Sequence, residues 1–202
     1  MELDNALDQI AEIHRLMART HTFRGYRAAT TMFTGCVAVA AAAFQAWWIP
    51  EPGREPMAFV DLWVSVAIAC LVVVGVEIFE RYRRTSSPLQ RQLTLQAIEQ
   101  FLPVIIVGGL VTLVLSEEAR QALWILPGLW AIFFGLGILA SRHLLPRAVV
   151  FVGAFYLLSG LTCLSAGHGA AAFWPWFVGI PFGVGQTAAA GILHWSLERE
   201  HE

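Results

Sequence analysis

The sequence predicts an all-α membrane protein with six transmembrane helices arranged as three hairpins. Of its 202 residues, 57% are hydrophobic and only 14% are charged, whereas soluble proteins carry about 25% charged residues. Each apolar block is about 18 to 24 residues long, which lets a helix rising ~1.5 Å per residue cross ~30 Å of hydrocarbon. The predicted spans are residues 28–49, 58–79, 97–115, 122–140, 148–165 and 170–193.

Residues 1–27 predict an amphipathic helix that lies at the membrane surface before the first span. Apolar side chains recur every three or four residues from Leu3 to Met17, with acidic and basic residues on the other face. A docking helix for a cytosolic partner is the alternative interpretation. The polar opening does not fit a secretory signal, so we expect the first apolar block to stay in the mature protein. Residues 197–202 are predicted to be a cytoplasmic tail.

The arginines predict the orientation of the chain. The loops after spans one, three and five hold only Arg54 and Arg120, while the other eleven arginines lie in the N-terminal segment, the remaining loops and the tail. By the positive-inside rule, we expect both termini in the cytoplasm. Six tryptophans gather at the predicted outer ends, as in an aromatic belt. They are Trp47, Trp48, Trp63, Trp124, Trp174 and Trp176.

One acid, Glu77, lies inside the second span and is the main functional candidate. An ionisable group within the hydrocarbon is costly and by default indicates a proton, ion or substrate site. Arg81 stands four residues later on the same helix face, so an interfacial ion pair is the alternative. Other polar residues could converge with Glu77 in an inward-facing pocket, or serve only in structural hydrogen bonds. These residues are Gln186, Tyr156, Glu99, Gln100 and His194.

The sixth span carries a helix-packing pattern. Small residues recur every four positions and predict a closely packed neighbour, which is either another span or a second copy of the chain. The four are Gly179, Gly183, Thr187 and Gly191. The first span has a similar face at Thr34, Ala38, Ala42 and Ala46. Prolines in spans four and six can kink their helices and open an outward cavity, or be tolerated without function. They are Pro127, Pro175 and Pro181.

The sequence predicts no catalytic, cofactor or metal site. Ser159 has no histidine at matching depth in another span to act as its base. Three cysteines in three different spans indicate neither a disulfide framework nor a thiolate metal site. Asp61 is interpreted as an interfacial cap, and the pair Glu117 and Glu118 lacks a histidine motif. A net charge of −2 gives no indication of nucleic-acid binding.

Four segments carry a resemblance that runs along the whole chain: EIHRLMARTHTFRGYRA, VEIFERYRR, LPGLWAIFFGLGILAS and PFGVGQTAAAGIL. With them, the chain resembles a group of small six-span proteins from environmental bacteria for which we know no assigned activity. In plan, it also resembles other short bacterial six-helix proteins built from three hairpins. The resemblance implies a bacterial inner-membrane protein and carries no binding or catalytic residues.

Two functional hypotheses follow. The first is a transporter or channel-like protein for an ion, proton or small solute, oligomeric, with an inward polar pocket that includes Glu77 and Gln186. The second is a non-transporting membrane module that docks a partner through residues 1–27 and the basic inner loops. The predicted partners are therefore the lipid bilayer, a second copy of the chain and a cytosolic protein, with no nucleic acid.

Overall fold

The computed structural model describes residues 28–84 and 88–198, and every regular element within these ranges is helical. The long helices are α1 (Ala28–Trp48), α2 (Pro56–Arg84), α3 (Pro88–Glu118), α4 (Leu126–Ala140), α5 (Val149–Ala166) and α6 (Trp176–Leu193). Shorter 3₁₀ or π segments adjoin them at Arg120–Ile125, Ser141–His143, Gly169–Phe173 and His194–Glu198. Six helices are long and apolar enough to span a membrane, which confirms the all-α polytopic fold. The predicted helix over residues 1–27 and the end of the tail lie outside the described residues.

Helices α2 and α3 extend beyond the predicted spans. They contain 29 and 31 residues, whereas the apolar blocks suggested an end at residue 79 and a start at residue 97. Glutamate, arginine, glutamine and leucine all have high helix propensity, so the helices continue through the polar segments on both sides of residues 85–87. Pro88 opens α3, a position where its missing N–H and fixed φ are tolerated.

Helices α4 and α5 pack closely because glycines meet across their antiparallel interface. Gly128 faces Gly160, and Gly135 faces Gly153. A Cβ atom placed on Gly160 would lie 2.6 Å from the Gly128 carbonyl oxygen, and one on Gly135 would lie 2.9 Å from the Gly153 carbonyl oxygen. In lipid, such backbone contact replaces the hydrophobic effect as the force that holds helices together.

Helices α1 and α6 form a second close antiparallel pair, which joins the two ends of the described chain. A Cβ on Gly35 would lie 2.9 Å from the Gln186 Cβ, and a Cβ on Gly179 would meet the Ala42 Cβ. Gly183 lies against Val39, so two members of the small-residue pattern pack within the chain. Thr187 is exposed, and Gly191 has open space around it.

The remaining helices surround these two pairs unevenly. Helix α2 packs on α1, and α3 packs on α4, but α2 and α3 make few contacts with each other. Only 6% of the apolar window is buried in each of α2 and α3, against 33–44% in the other spans. Consequently α2 and α3 lie at the periphery, with a gap between them.

The two ends of the bundle differ in composition. We call one the tryptophan end, where α1 and α3 finish, with Trp47, Trp48 and Trp174 exposed. The other, the arginine end, is where α2 and α4 finish and α3 and α5 begin. Ala28 clusters there with Ala190 and Leu193. Its arginines are Arg81, Arg83, Arg84, Arg91, Arg142 and Arg147.

The predicted prolines have less effect on the helices than the kink hypothesis required. Pro127 lies in the first turn of α4, and Pro175 caps α6, where a missing N–H leaves no bond unmade. Pro181 is inside α6 and removes the donor for the Phe177 carbonyl, to which the Cys163 Sγ donates at 3.4 Å instead. Pro103, inside α3, is a further interior proline.

The glycine contact between α4 and α5 gives the first prediction. Gly160→Ala should lower the free energy of unfolding by about 1–3 kcal/mol, because the new methyl group would press on a backbone carbonyl that cannot move alone. The measurement is the thermal midpoint of the purified protein in detergent. Gly191→Ala is the matched control and should leave the midpoint unchanged or raise it, since nothing lies within 4 Å of its Cβ position. Equal midpoints for the two variants would contradict the packing argument.

Candidate functional site

A cavity of about 880 Å³ lies in the gap between α2 and α3. Residues of α1, α4 and α6 form its inner wall, and the loop after α4 contributes Leu144 and Leu145. Its volume falls within the range of ~300–1,000 Å³ that is typical of ligand pockets. Because α2 and α3 are the peripheral helices, the gap faces the lipid.

The cavity is long and mostly apolar. Along α2, its lining runs from Met57 to Ile78, a rise of ~32 Å for a helix, which matches the full hydrocarbon thickness. Its charged lining residues within the described ranges are Asp61 and Glu117, and both lie at the tryptophan end. The uncharged polar lining consists of Thr30, Thr31, Thr34, Thr112, Ser116, Ser141 and Gln186. Such a surface suits a hydrocarbon chain better than a hydrated ion.

A buried amide fixes the wall of the cavity at the tryptophan end. Gln45 of α1 is fully buried; its Oε1 accepts a hydrogen bond from the Trp63 Nε1 at 2.7 Å, and its Nε2 donates to the Phe173 carbonyl at 2.8 Å. One side chain thereby connects α1, α2 and the segment before α6. Trp63 is 5% exposed, so its prediction as a belt residue is wrong: the indole N–H turns inward because Gln45 offers it an acceptor.

A second indole connects α3 and α4 in the same way. The Trp130 Nε1 donates to the Thr112 Oγ1 at 2.9 Å, and that hydroxyl donates to the Gly108 carbonyl at 2.8 Å. The Trp130 ring stacks on Phe59 at a centroid distance of 6.0 Å, and Phe59 meets the Phe173 ring edge-on at 5.1 Å. Both indoles line the cavity, so its inner wall at this end is a rigid aromatic layer.

Two serine hydroxyls line the cavity without a hydrogen-bond partner among the described residues. Ser116 is 7% exposed and Ser141 is 5% exposed, and neither Oγ meets an acceptor or donor. Ser116 lies near the tryptophan end of α3, and Ser141 follows α4 at the arginine end. Buried polar groups left unpaired are unusual and call for an explanation, such as a bound ligand.

The structure brings one of the six predicted pocket residues to the cavity, and that residue is Gln186. Glu77 lies on another face of α2, although its neighbours Val74 and Ile78 line the cavity. Its Oε1 lies 3.6 Å from the Arg81 Nε, an ion pair too long for a hydrogen bond, and its side chain is 19% exposed. This Oε1 is buried and has no hydrogen-bond partner among the described residues, and the ion pair with Arg81 is the contact that the structure shows for Glu77.

The other predicted pocket residues are dispersed. Tyr156 is 1% exposed and packs between Phe134 and Phe182, with ring centroids 4.9 and 5.2 Å away. Its hydroxyl finds no partner within the described part of the chain and lies against Gly185. The Gln100 Oε1 is also buried and unpaired. Glu99 and His194 are exposed.

Sequence reasoning missed the residues that form the polar rim of the cavity. Asp61 was interpreted as a cap and Glu117 as a loop acid, because one sequence does not show that both acids border the same gap. Gln45 did carry a signal, since an amide inside a predicted span must find a partner. No group of three or more potential metal ligands occurs among residues 28–84 and 88–198.

The six spans and their composition define this chain as an integral membrane protein. Comparison with protein-family models, curated proteins and solved structures found no match.

The buried amide gives the second prediction. Gln45→Leu should cost about 1–3 kcal/mol of unfolding free energy, because the Trp63 N–H and the Phe173 carbonyl would both lose their partner. Interhelical hydrogen bonds in membranes contribute ~0.6 kcal/mol on average. Because Gln45 makes two such bonds and is completely buried, we expect its replacement to cost more than this average. The measurement is thermal unfolding in detergent, with Trp63→Phe added in a double-mutant cycle.

Thr187→Val is the control for the loss of a polar group. The Thr187 hydroxyl donates only to Gly183 of its own helix, at 2.8 Å, and the residue is exposed. This control should unfold at the wild-type temperature. Strictly additive losses for Gln45→Leu and Trp63→Phe would refute the coupling between the two side chains.

Proposed function

We propose that this integral membrane protein is a transporter-like protein whose solute is small, apolar or amphiphilic, and that the solute binds in the cavity between α2 and α3. The observation that carries the proposal is the cavity itself, which faces lipid along ~32 Å and is lined almost throughout by apolar side chains. A hydrocarbon chain could enter it sideways from the bilayer without crossing a polar barrier.

The distribution of charge supports a solute of this kind over an ion or a proton. Among residues 28–84 and 88–198, no arginine or histidine lines the cavity, and its two carboxylates lie at one end. An ion crossing the membrane would need polar groups at intervals along the whole path. The middle of this cavity instead offers side chains such as Ile68, Leu71, Ile105 and Phe133.

We propose the bacterial inner membrane as the location, with the arginine end facing the cytoplasm. Six arginines of the described residues lie at that end, against Arg54 and Arg120 at the other, and this asymmetry supports the orientation. Docking of a partner through residues 1–27 and the basic inner loops remains a separate hypothesis. Association with a second copy also remains a prediction, because α1 already occupies Gly179 and Gly183 of the packing pattern.

Filling the cavity tests the proposed function. Gly75 and Gly109 line the cavity and have nothing within 4 Å of their Cβ positions, so Gly75→Leu/Gly109→Leu should occupy it without a clash. We expect crosslinking of an uncharged photoreactive probe, octadecanol with a diazirine in its chain, to fall about tenfold, equivalent to ~1.4 kcal/mol. The measurement uses the protein in phosphatidylcholine nanodiscs, with crosslinked peptides assigned by mass spectrometry. A fluorescent analogue in liposomes would report transfer between leaflets.

Gly191→Leu is the matched control, because Gly191 also has open space around it and does not line the cavity. It should crosslink like the wild type. If the probe labels the filled variant as strongly as the control, solute does not bind between α2 and α3.

The Glu77→Gln variant tests whether solute transfer depends on the cavity or on a pathway that includes Glu77. Because Glu77 pairs with Arg81 and does not line the cavity, probe crosslinking and transfer should stay within about twofold of wild type. The same assays measure it, with the thermal midpoint as a check on folding. A folded Glu77→Gln protein that lost transfer would restore Glu77 as the coupling residue.

A further inference from the structure

The tryptophan end of the cavity carries two carboxylates and a buried hydroxyl. Asp61 lies five residues into α2, and Glu117 is the penultimate residue of α3. Because α2 and α3 run in opposite directions, both residues lie at the same end, on the two sides of the gap. Ser116 stands beside Glu117 and also lines the cavity.

Neither carboxylate has a partner in the part of the chain that the structure describes. Asp61 and Glu117 are exposed and make no ion pair or hydrogen bond with any described residue. Of the two arginines at this end, Arg54 is paired with Glu51, its Nε lying 2.7 Å from the Glu51 Oε2, whereas the Arg120 Nε donates to the neutral Ser116 carbonyl at 3.0 Å and keeps its positive charge. Neither arginine lines the cavity. Since Arg54 is paired with Glu51, the carboxylates of Asp61 and Glu117 outweigh the charge of Arg120, and this end of the cavity carries net negative charge.

Besides the two carboxylates, the tryptophan end of the cavity contains the buried hydroxyl of Ser116. Its hydroxyl is buried, lines the cavity and has no partner among the described residues. One turn away, the Thr112 hydroxyl is already occupied by the Trp130 N–H and the Gly108 carbonyl. Ser116 is thus the hydroxyl at this end that remains available to accept a hydrogen bond from a bound molecule.

We propose that the solute is an amphiphile with a protonated amine head group, which Asp61, Glu117 and Ser116 bind while the alkyl chain occupies the apolar cavity. The inference rests on the proposed function. An ammonium group supplies the positive charge that the two carboxylates lack and an N–H donor for Ser116. A quaternary ammonium would satisfy the charge but leave the hydroxyl unpaired, and an anionic head group would be repelled.

The test compares photoreactive octadecyl probes that differ only in head group, in nanodiscs of zwitterionic phosphatidylcholine at pH 7. The full-length protein is used, and crosslinking to the filled variant Gly75→Leu/Gly109→Leu is subtracted as background. We expect the amine to label the cavity several-fold to about tenfold more than the alcohol, a range set by two exposed charge contacts. Trimethylammonium should fall between them, and the sulfate should label least.

Isosteric substitutions identify the residues that cause the preference for the amine probe over the alcohol probe. Asp61→Asn/Glu117→Gln should reduce labelling by the amine to the level of the alcohol, while the alcohol is unaffected. Ser116→Ala should lower labelling by the amine and leave labelling by trimethylammonium unchanged. Glu118→Gln is the matched control, because Glu118 is the next residue on α3 and does not line the cavity.

The outcomes distinguish this inference from the proposed function. If the alcohol labels the cavity but the amine labels it no better, or if the sulfate equals the amine, the head-group assignment is wrong and the apolar cavity stands. If Asp61→Asn/Glu117→Gln keeps the preference for the amine, the assignment is also wrong. If even the alcohol fails to label the wild-type cavity, the proposed function itself is refuted.

Discussion

The buried amide of Gln45 is the constraint on which the arrangement of helices depends. Within a bilayer, no water is present to satisfy a stray amide, so its donor and acceptor must find partners inside the protein. Both partners come from other segments, Trp63 of α2 and the Phe173 carbonyl before α6. The position of α2 relative to α1 and α6 is therefore set by hydrogen-bond geometry, in a medium where the hydrophobic effect specifies little.

That attachment acts at one end of α2 only. The buried residues of this helix are Phe59, Val60 and Trp63, all within its first eight residues. Beyond these residues, α2 makes few contacts with α3, and this lack of packing leaves the gap between the two helices. The cavity is thus a consequence of uneven packing: two glycine-rich helix pairs form a dense centre, and α2 is attached to this centre at the tryptophan end.

The sequence alone predicted the helical class and the number of spans, because bilayer thickness translates directly into the length of an apolar block. It also singled out span six for close packing, since small residues at four-residue spacing make a visible pattern, but it did not identify α1 as the helix that lies against Gly179 and Gly183. It did not place the cavity. Asp61 and Glu117 are 56 residues apart in the chain, and their place at one end of the same cavity depends on which helices leave a gap, a property of tertiary packing. Glu77 was predicted to be a site residue because it lies inside a span, but hydropathy does not show which face of α2 carries it.

The length of the peripheral hairpin has a mechanical consequence. At ~1.5 Å per residue, α2 and α3 are ~44 and ~46 Å long, well over the ~30 Å hydrocarbon thickness. A helix that exceeds the local thickness responds by tilting. Because α2 is held at the tryptophan end, tilting would displace its arginine end the most. A thinner bilayer would therefore change the width of the gap between α2 and α3, and a thicker one would restore it.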